Sequence, residues 1–228
     1  MQILYEDNHL IAVNKQVSDL VQSDATGDEV LGDQIKAYIA KKYKKPGDVF
    51  LGVVHRLDRP ATGVVVFART SKALTRMNEM FKDHEVKKTY WAVVKNRPAE
   101  EEGTLVHYLH KDPNQNKSFA YLKPKGSAKE ARLSYRLIGV TNNFSLLEID
   151  LQTGRHHQIR CQLAKIGSPI KGDLKYGFAR SNPDGGIHLH ARKMRFIHPV
   201  QKTEVVIIAD PPIDPIWNEF LQQAPVGS

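Results

Sequence analysis

Apolar runs and polar turns follow one another along this chain at the short spacing of strands, with three helical intervals among them. Ile3, Leu4 and Tyr5 form one arm of a predicted hairpin over residues 2–14, and Leu10 to Val13 form the other. Glu6, Asp7 and Asn8 supply its turn. A polar stretch from Ser18 to Glu29 precedes Leu31, Ile35, Tyr38 and Ile39, which share one helical face. The KKYKK run and then Pro46 and Gly47 end that helix. Val53 and Val54 close one apolar run, and Val64 to Ala68 make another, long and rich in β-branched residues, the mark of a buried strand.

Further on, Thr70 or Ser71 can cap a helix whose apolar face is Leu74, Met77 and Phe81. VKKTYWAVVK, Val86 to Lys95, reads as a strand. His107 to Gly126 is polar and rich in Lys, Asn and Pro, and reads as a long excursion or a mobile hairpin. Leu147, Ile149 and Leu151 alternate with Glu148 and Asp150, a half-buried strand. Ile159, Leu163 and Ile166 are spaced for a third helix, with Thr153 as its N-cap and Gly167 as its stop. Ile187 to Ile197 and Val205 to Ala209 are further strands. No repeat and no convincing linker divides the chain. Many strands with few dispersed helices predict an α+β domain on a mainly antiparallel mixed sheet, spanning residues 1–228.

Composition narrows the classes. With 228 residues, 41% hydrophobic and 25% charged, the chain is an ordinary globular one. It has no apolar run of about eighteen residues, and its first fifteen residues lack the pattern of a signal peptide. A single cysteine, Cys161, excludes an internal disulfide and a Cys-rich zinc site, and fits a cytoplasmic setting. The net charge of +8 favours a polyanionic partner, nucleic acid first.

The chemistry concentrates in LGVVHRLDRPATGVVVFARTSK, Leu51 to Lys72. Between two strands, a loop carries His55, Arg56, Asp58 and Arg59, punctuated by Pro60 and Gly63. One carboxylate beside two guanidinium groups, presented by a rigid scaffold, is suited to nucleophilic attack. A structural ion pair would explain an isolated HRLD, since surface pairs are common and contribute little. The length of this motif favours the chemical reading.

HRLDRPATGVVVFARTSKA closely resembles the central motif of the RluA-type pseudouridine synthases, which isomerise uridine in RNA. The likeness runs from YEDNHLIAVNK near the start to IHLHARKMRFIHP near the end. It implies a central antiparallel sheet crossed by a catalytic cleft, and a chain of the single-domain type without the extra RNA-binding domain of some members. It implies Asp58 as the nucleophile. Tyr90, in KKTYWAVV, takes the position of the tyrosine that stacks on the target base, its hydroxyl a candidate base; Trp91 should face the other way. Arg160, in TGRHHQIRCQLAKIG, takes the position of the arginine that pairs with the aspartate. His55, Arg56, Gln158 and Ile159 fall at substrate-binding positions. Gly172 to Gly177, GDLKYG, matches a further pattern and should shape the cleft wall.

One departure stands out: KQVSDLVQ, Lys15 to Gln22, replaces a KPAG-type turn. The implied partner is a stem-loop of ribosomal or transfer RNA, bound by a monomer without membrane attachment. The implied reaction needs no cofactor. His156, His157, His188, His190 and His198 lack an acidic residue at ligand spacing, so no metal site is expected. Two rivals remain in view. A hydrolase would need a second carboxylate or a metal in these motifs. A non-catalytic RNA-binding protein of the same fold would be expected to have lost Asp58, Tyr90 or Arg160. The loops 18–29 and 107–126 are the expected specificity elements.

Overall fold

A computed structural model describes residues 1–21 and 30–223. The chain divides into two compact units. The first comprises residues 1–86 and 193–210, the second residues 87–192 and the segment from Pro211 onward. The fold is α+β, sheets with a few peripheral helices.

In the first unit, β1 (Gln2–Glu6) and β2 (Leu10–Lys15) form the expected hairpin, with β2 paired antiparallel to β4 (Thr62–Ala68). The short β3 (Gly52–Val53) lies on β4. Every residue of β2 and β4 is buried because both faces are covered. On one face Ile11, Val13, Val65 and Phe67 meet Leu31, Ile35 and Ile39 of α1 (Leu31–Tyr43). On the other, Leu10, Ala12, Val64 and Val66 meet Ala73 and Met77 of α2 (Ser71–Lys82), together with Met194, Phe196, Val205 and Ile207. The Thr70 hydroxyl accepts from the Ala73 N–H at 3.2 Å, so Thr70 is the cap of α2.

The second unit is an antiparallel sheet in the order β5-β9-β8-β6-β7. Its strands are β5 (Lys87–Val94), β6 (Glu102–Asp112), β7 (Lys117–Tyr121), β8 (Lys129–Val140) and β9 (Ser145–Leu151). Two segments go beyond what was expected of them. Residues 107–121 form the hairpin that was one of the two readings: most belong to β6 and β7, in which buried His107, Leu109, Ser118 and Ala120 alternate with more exposed neighbours. The segment Lys129 to Val140, for which no strand was expected, turns Ala131, Leu133 and Tyr135 inward. The expected specificity loop 18–29 falls largely outside the described residues. The remaining strands, β10 (Leu189–Ile197) and β11 (Glu204–Ile208), pair antiparallel near their expected positions. Among the described residues, no helix is long and apolar enough to cross a membrane.

Trp91 on β5 packs with Val93, Leu146, Trp217 and Phe220, the last two from α4 (Pro215–Gln223). Asp214 starts that helix: one carboxylate oxygen accepts from the Ile216 and Trp217 N–H groups at 2.8 and 2.9 Å. The other lies 3.1 Å from His188 Nε2. Burial alone would raise the Asp214 pKa. The bonds from His188 and from the two N–H groups outweigh it and bring the carboxyl down to about 2. The folded value therefore lies below the unfolded one. The stabilisation is present above about pH 4 and is lost as pH falls toward 2. Asp214→Ala is expected to lower stability at pH 7 by about 1–2 kcal/mol, measured by urea unfolding, and the difference from wild type should shrink toward pH 2.

Candidate active site

The first unit carries the Asp58 loop. It runs from β3 to β4 and turns at Asp58–Ala61, where the Ala61 N–H donates to the Asp58 carbonyl at 3.0 Å. Leu57 anchors the loop against the core beside α1. His55 Nε2 accepts from the Val66 N–H at 2.9 Å, and its ring stacks on Phe81 with centroids 4.9 Å apart. A ring so held fixes the base of the loop to β4. Arg56 and Arg59 are exposed and Asp58 is half-buried.

Lys15 closes the loop from behind. Its Nζ donates to the carbonyls of Gln16, Arg59 and Ala61 at 2.9, 2.9 and 2.7 Å. The Ser18 N–H also reaches the Arg59 carbonyl, at 3.3 Å.

The second unit carries Tyr90 and Arg160. Tyr90 is 7% exposed and pairs across β5–β9 with Ile149, which pairs in turn with Tyr135 on β8. Cross-strand partners share a face, and alternate residues of a strand do too. Tyr90 therefore lies on the same face as Leu133 and Ala131. Ala131 packs with Cys161 of the helix α3 (Gln158–Lys165). The sheet face that holds Tyr90 is thus the face covered by the helix that holds Arg160. Trp91 points the other way, as its strand position predicts. There its indole N–H lies 3.3 Å from Glu148, and the Arg192 guanidinium lies 4.6 Å from its ring. Lys88, two residues before Tyr90, has a pKa lowered by burial, an effect that Asp150 opposes.

The start of α3 differs from expectation. Thr153 is not its N-cap; the helix begins at Gln158 after His157, which sits in the left-handed region at φ 51°. The Gln158 side chain folds back instead. Its oxygen accepts from the Thr153 hydroxyl and the Arg155 N–H, at 2.7 and 3.0 Å, and its nitrogen donates to the Arg132 carbonyl at 3.1 Å. Gln158 and Ile159 are both buried. The helix ends near Gly167, at φ 82°, as expected.

Arg160 is held from the GDLKYG segment. Its Nε and one terminal nitrogen donate to the two oxygens of Asp173 at 2.7 and 2.9 Å, a bidentate pair with side chains only 5% and 1% exposed. The guanidinium also lies 5.1 Å from the Tyr176 ring. Tyr176 ends a single 3-10 turn, Leu174–Tyr176. Its hydroxyl accepts from the Ser118 N–H at 2.8 Å and lies 3.0 Å from His157 Nδ1. Burial first, then the Arg160 charge, push His157 down to about 2, so its ring is neutral at ordinary pH. Burial pushes the Tyr176 hydroxyl up to about 12, so it keeps its proton. Beside a neutral histidine and a neutral phenol, Arg160 and Asp173 form a charged pair, with the Lys117 ammonium 5.3 Å from the Tyr176 ring. Gly172 has φ 86°, and a Cβ there would meet the Asn182 side chain and the Gly186 carbonyl at 2.7–2.8 Å. This turn therefore needs glycine.

Sequence reasoning missed Asp173, Tyr176 and Lys15. The first two stand in GDLKYG, where the glycines drew attention first. Lys15 ends an apolar strand, where a lysine ordinarily reaches water. Among the described residues, no three His, Cys, Asp or Glu side chains are grouped as metal ligands.

Comparison with known proteins bears on this arrangement. The family described as RNA pseudouridylate synthase matches residues 9–165, a span that includes Asp58, Tyr90 and Arg160. The tRNA pseudouridine synthase C of Vibrio cholerae serotype O1 is 30% identical over 248 residues, covering 98% of this chain and 95% of that protein. The ribosomal large subunit pseudouridine synthase D of Zymomonas mobilis is 31% identical over 224 residues, covering 94% of this chain and 70% of that protein. A solved structure described as Human RNA Pseudouridylate Synthase Domain Containing 4 aligns with a TM-score of 0.77 at 22% identity. It covers 97% of this chain and 92% of its own, and speaks to the fold.

Proposed function

The chain belongs to the RNA pseudouridylate synthase family, and from that premise we propose that it isomerises specific uridines in ribosomal or transfer RNA with Asp58 as the nucleophile. The observation that carries this reading is the HRLD loop itself. Its single carboxylate lies inside the family match, on a turn between the short β3 and the fully buried β4. The names of the two relatives, one for transfer RNA and one for the large ribosomal subunit, support either RNA as the substrate pool.

The target uridine leaves its stack before reaction, which costs least in a loop. Exposed Arg56 is suited to fill the space it leaves or to hold the extruded nucleotide. Attack by Asp58, on the ribose or on the uracil ring, leads to cleavage of the bond between ribose C1′ and uracil N1. The uracil turns and rejoins ribose through C5. The C5 proton is then lost, and N1 gains a proton. Atoms and charge balance without an external reactant.

Tyr90 is suited to pack against the base and to remove the C5 proton through its hydroxyl. The arginine motif assigns Arg160 to keep Asp58 anionic and oriented, a role that rests on the motif match. His55, Gln158 and Ile159, buttressed by the protein's own backbone and core, fit shaping of the site more than direct bonds to RNA. The same reading has the enzyme working as a monomer in the cytoplasm, with the β6–β7 segment contributing to substrate choice.

Incubation of the protein with unmodified transfer and ribosomal RNA, followed by chemical mapping of pseudouridine, tests this reading. New pseudouridine at a defined position supports it and names the substrate; none in either pool contradicts it. Tyr90→Phe removes only the hydroxyl. It is expected to let the glycosidic bond break while slowing C5 proton loss on the order of 100-fold or more, the scale of one general base. Unchanged tritium release from uridine labelled at C5 would exclude Tyr90 as that base.

A further inference from the structure

The end of α1 gathers more positive charge than the helix needs. Lys41, Lys42, Lys44 and Lys45 flank Tyr43, and all of them are exposed. Lys41 and Lys42, in the last turn, already complement the helix dipole. Lys45 lies beyond the helix, and Lys44 sits at its C-cap in the left-handed region, at φ 48°, a place that favours glycine. Among the described residues, Lys42 pairs with Glu6, whereas no carboxylate pairs with Lys41, Lys44 or Lys45. Asp48 is the only acid in the segment 41–50.

Aromatic rings stand among these charges. Tyr43 is 44% exposed yet fixed. Its hydroxyl donates to Glu6 at 2.8 Å, and Glu6 also receives Tyr38, Lys42 and Arg69 at 2.9, 2.7 and 3.1 Å. The Arg69 guanidinium lies 4.8 Å from the Tyr43 ring, and the Lys42 ammonium 5.4 Å. Phe50 is 48% exposed, between Val49 and Leu51, which pack against the core beside α1. Pairing of β3 with β4 sets Gly52 opposite Ala68; continued by two residues, it carries Phe50 to the Arg69–Thr70 end of β4. Both rings therefore stand at one end of β4, and the Asp58 loop enters that strand at the other. The length of the strand sets the two about 20 Å apart.

We infer that this end of the first unit is a docking surface for single-stranded RNA, in which Lys41, Lys44 and Lys45 neutralise phosphates and Tyr43 and Phe50 take stacked bases. Lysines without a carboxylate partner gain most from displacing the counterions of a polyanion. Exposed rings beside them offer a stacking face to any base, whatever the sequence. The inference rests on the reading of RNA as the substrate. It concerns RNA that flanks the target uridine, because the surface stands at the far end of β4 from the Asp58 loop.

The test is filter binding of the full chain to an oligouridylate of about twenty nucleotides, longer than one such site, over a range of salt. Lys41→Gln, Lys44→Gly and Lys45→Gln together remove three charges, and glycine suits the backbone at position 44. Loss of three phosphate contacts is expected to reduce the slope of log affinity against log salt by about 2, and the affinity at about 0.1 M salt by at least tenfold. A control with Lys72→Gln, Lys82→Gln and Lys202→Gln, exposed lysines elsewhere in the same unit, is expected to stay within about threefold of wild type. Tyr43→Leu and Phe50→Leu are each expected to weaken binding of the single strand about fivefold or more with the slope unchanged, and binding of a duplex of that length less than about twofold. Equal losses in the two triple variants would reduce the effect to overall charge and overturn the inference. Leucine variants that bind the single strand as wild type does would overturn it too. A wild type that binds through this surface yet forms no pseudouridine in either RNA pool would overturn the proposed reaction and leave the surface standing. An active wild type whose Lys41, Lys44 and Lys45 variant binds as the control does would overturn this inference alone.

Discussion

Asp58→Ala is expected to abolish turnover while the protein folds and binds RNA. Loss of a nucleophile removes the bond-forming group itself, and such losses lower rates by on the order of 10⁴-fold or more. The substitution leaves its surroundings in place. The turn is closed by the Asp58 carbonyl, which alanine retains, and by Lys15 on the carbonyls of Arg59 and Ala61. Leu57 and His55 hold the loop through contacts that do not use the Asp58 carboxylate. RNA affinity depends on Lys and Arg contacts to phosphate and falls as salt is raised. Filter binding at one fixed salt concentration should therefore give nearly equal affinities for wild type and variant. Asp58→Asn, which keeps the shape, should be as inactive as alanine. Activity within about tenfold of wild type in either variant would remove Asp58 as the nucleophile.

The second large effect is on stability. Asp173→Ala leaves the Arg160 guanidinium, 5% exposed, without the carboxylate that takes two of its N–H groups. Breaking a buried pair from one side costs about 3–5 kcal/mol, because the remaining charge loses its bidentate carboxylate in a site that water barely reaches. The Tyr176 hydroxyl, held by Ser118 and His157, cannot replace the carboxylate as a counter-charge: burial raises its pKa to about 12. Urea unfolding should show the loss as a lower midpoint with little change in slope. Asp173→Asn keeps a hydrogen-bonding side chain and should lose less. A change below about 1 kcal/mol for Asp173→Ala would mean that the rest of its surroundings suffice to hold the Arg160 charge.

Much of the architecture was legible in residue order. The continuous apolar run in β4 predicted burial on both faces, and α1 and α2 cover it with the face residues the spacing named. Leu147, Ile149 and Leu151 alternated cleanly, and β9 followed. Failures came where polar residues line a buried face or a side chain replaces a standard cap. His107 and Ser118 are buried polar residues within β6 and β7, so the polar-rich segment left an excursion and a hairpin both open, without placing the two strands. Thr153 looked like a cap by type and position, yet Gln158 organises that turn through its side chain. At the site, motif residues announced themselves by type: one acid among bases, a tyrosine in a strand, an arginine on a helix. The residues that hold them did not. Asp173 is separated by 13 residues from Arg160, and Lys15 by 44 and 46 residues from the carbonyls of Arg59 and Ala61. Neither relation has a local period to betray it.

The most direct test of the central claim is tritium release from RNA labelled at uridine C5, measured for wild type and Asp58→Ala on transfer and ribosomal RNA. Isomerisation must expel the C5 hydrogen, so the label reports the new carbon–carbon bond itself. The account predicts release by wild type from at least one pool and none by the variant. Equal release by both proteins would contradict Asp58 as the nucleophile, and release by neither, from proteins that fold and bind RNA, would contradict the proposed reaction on these RNAs.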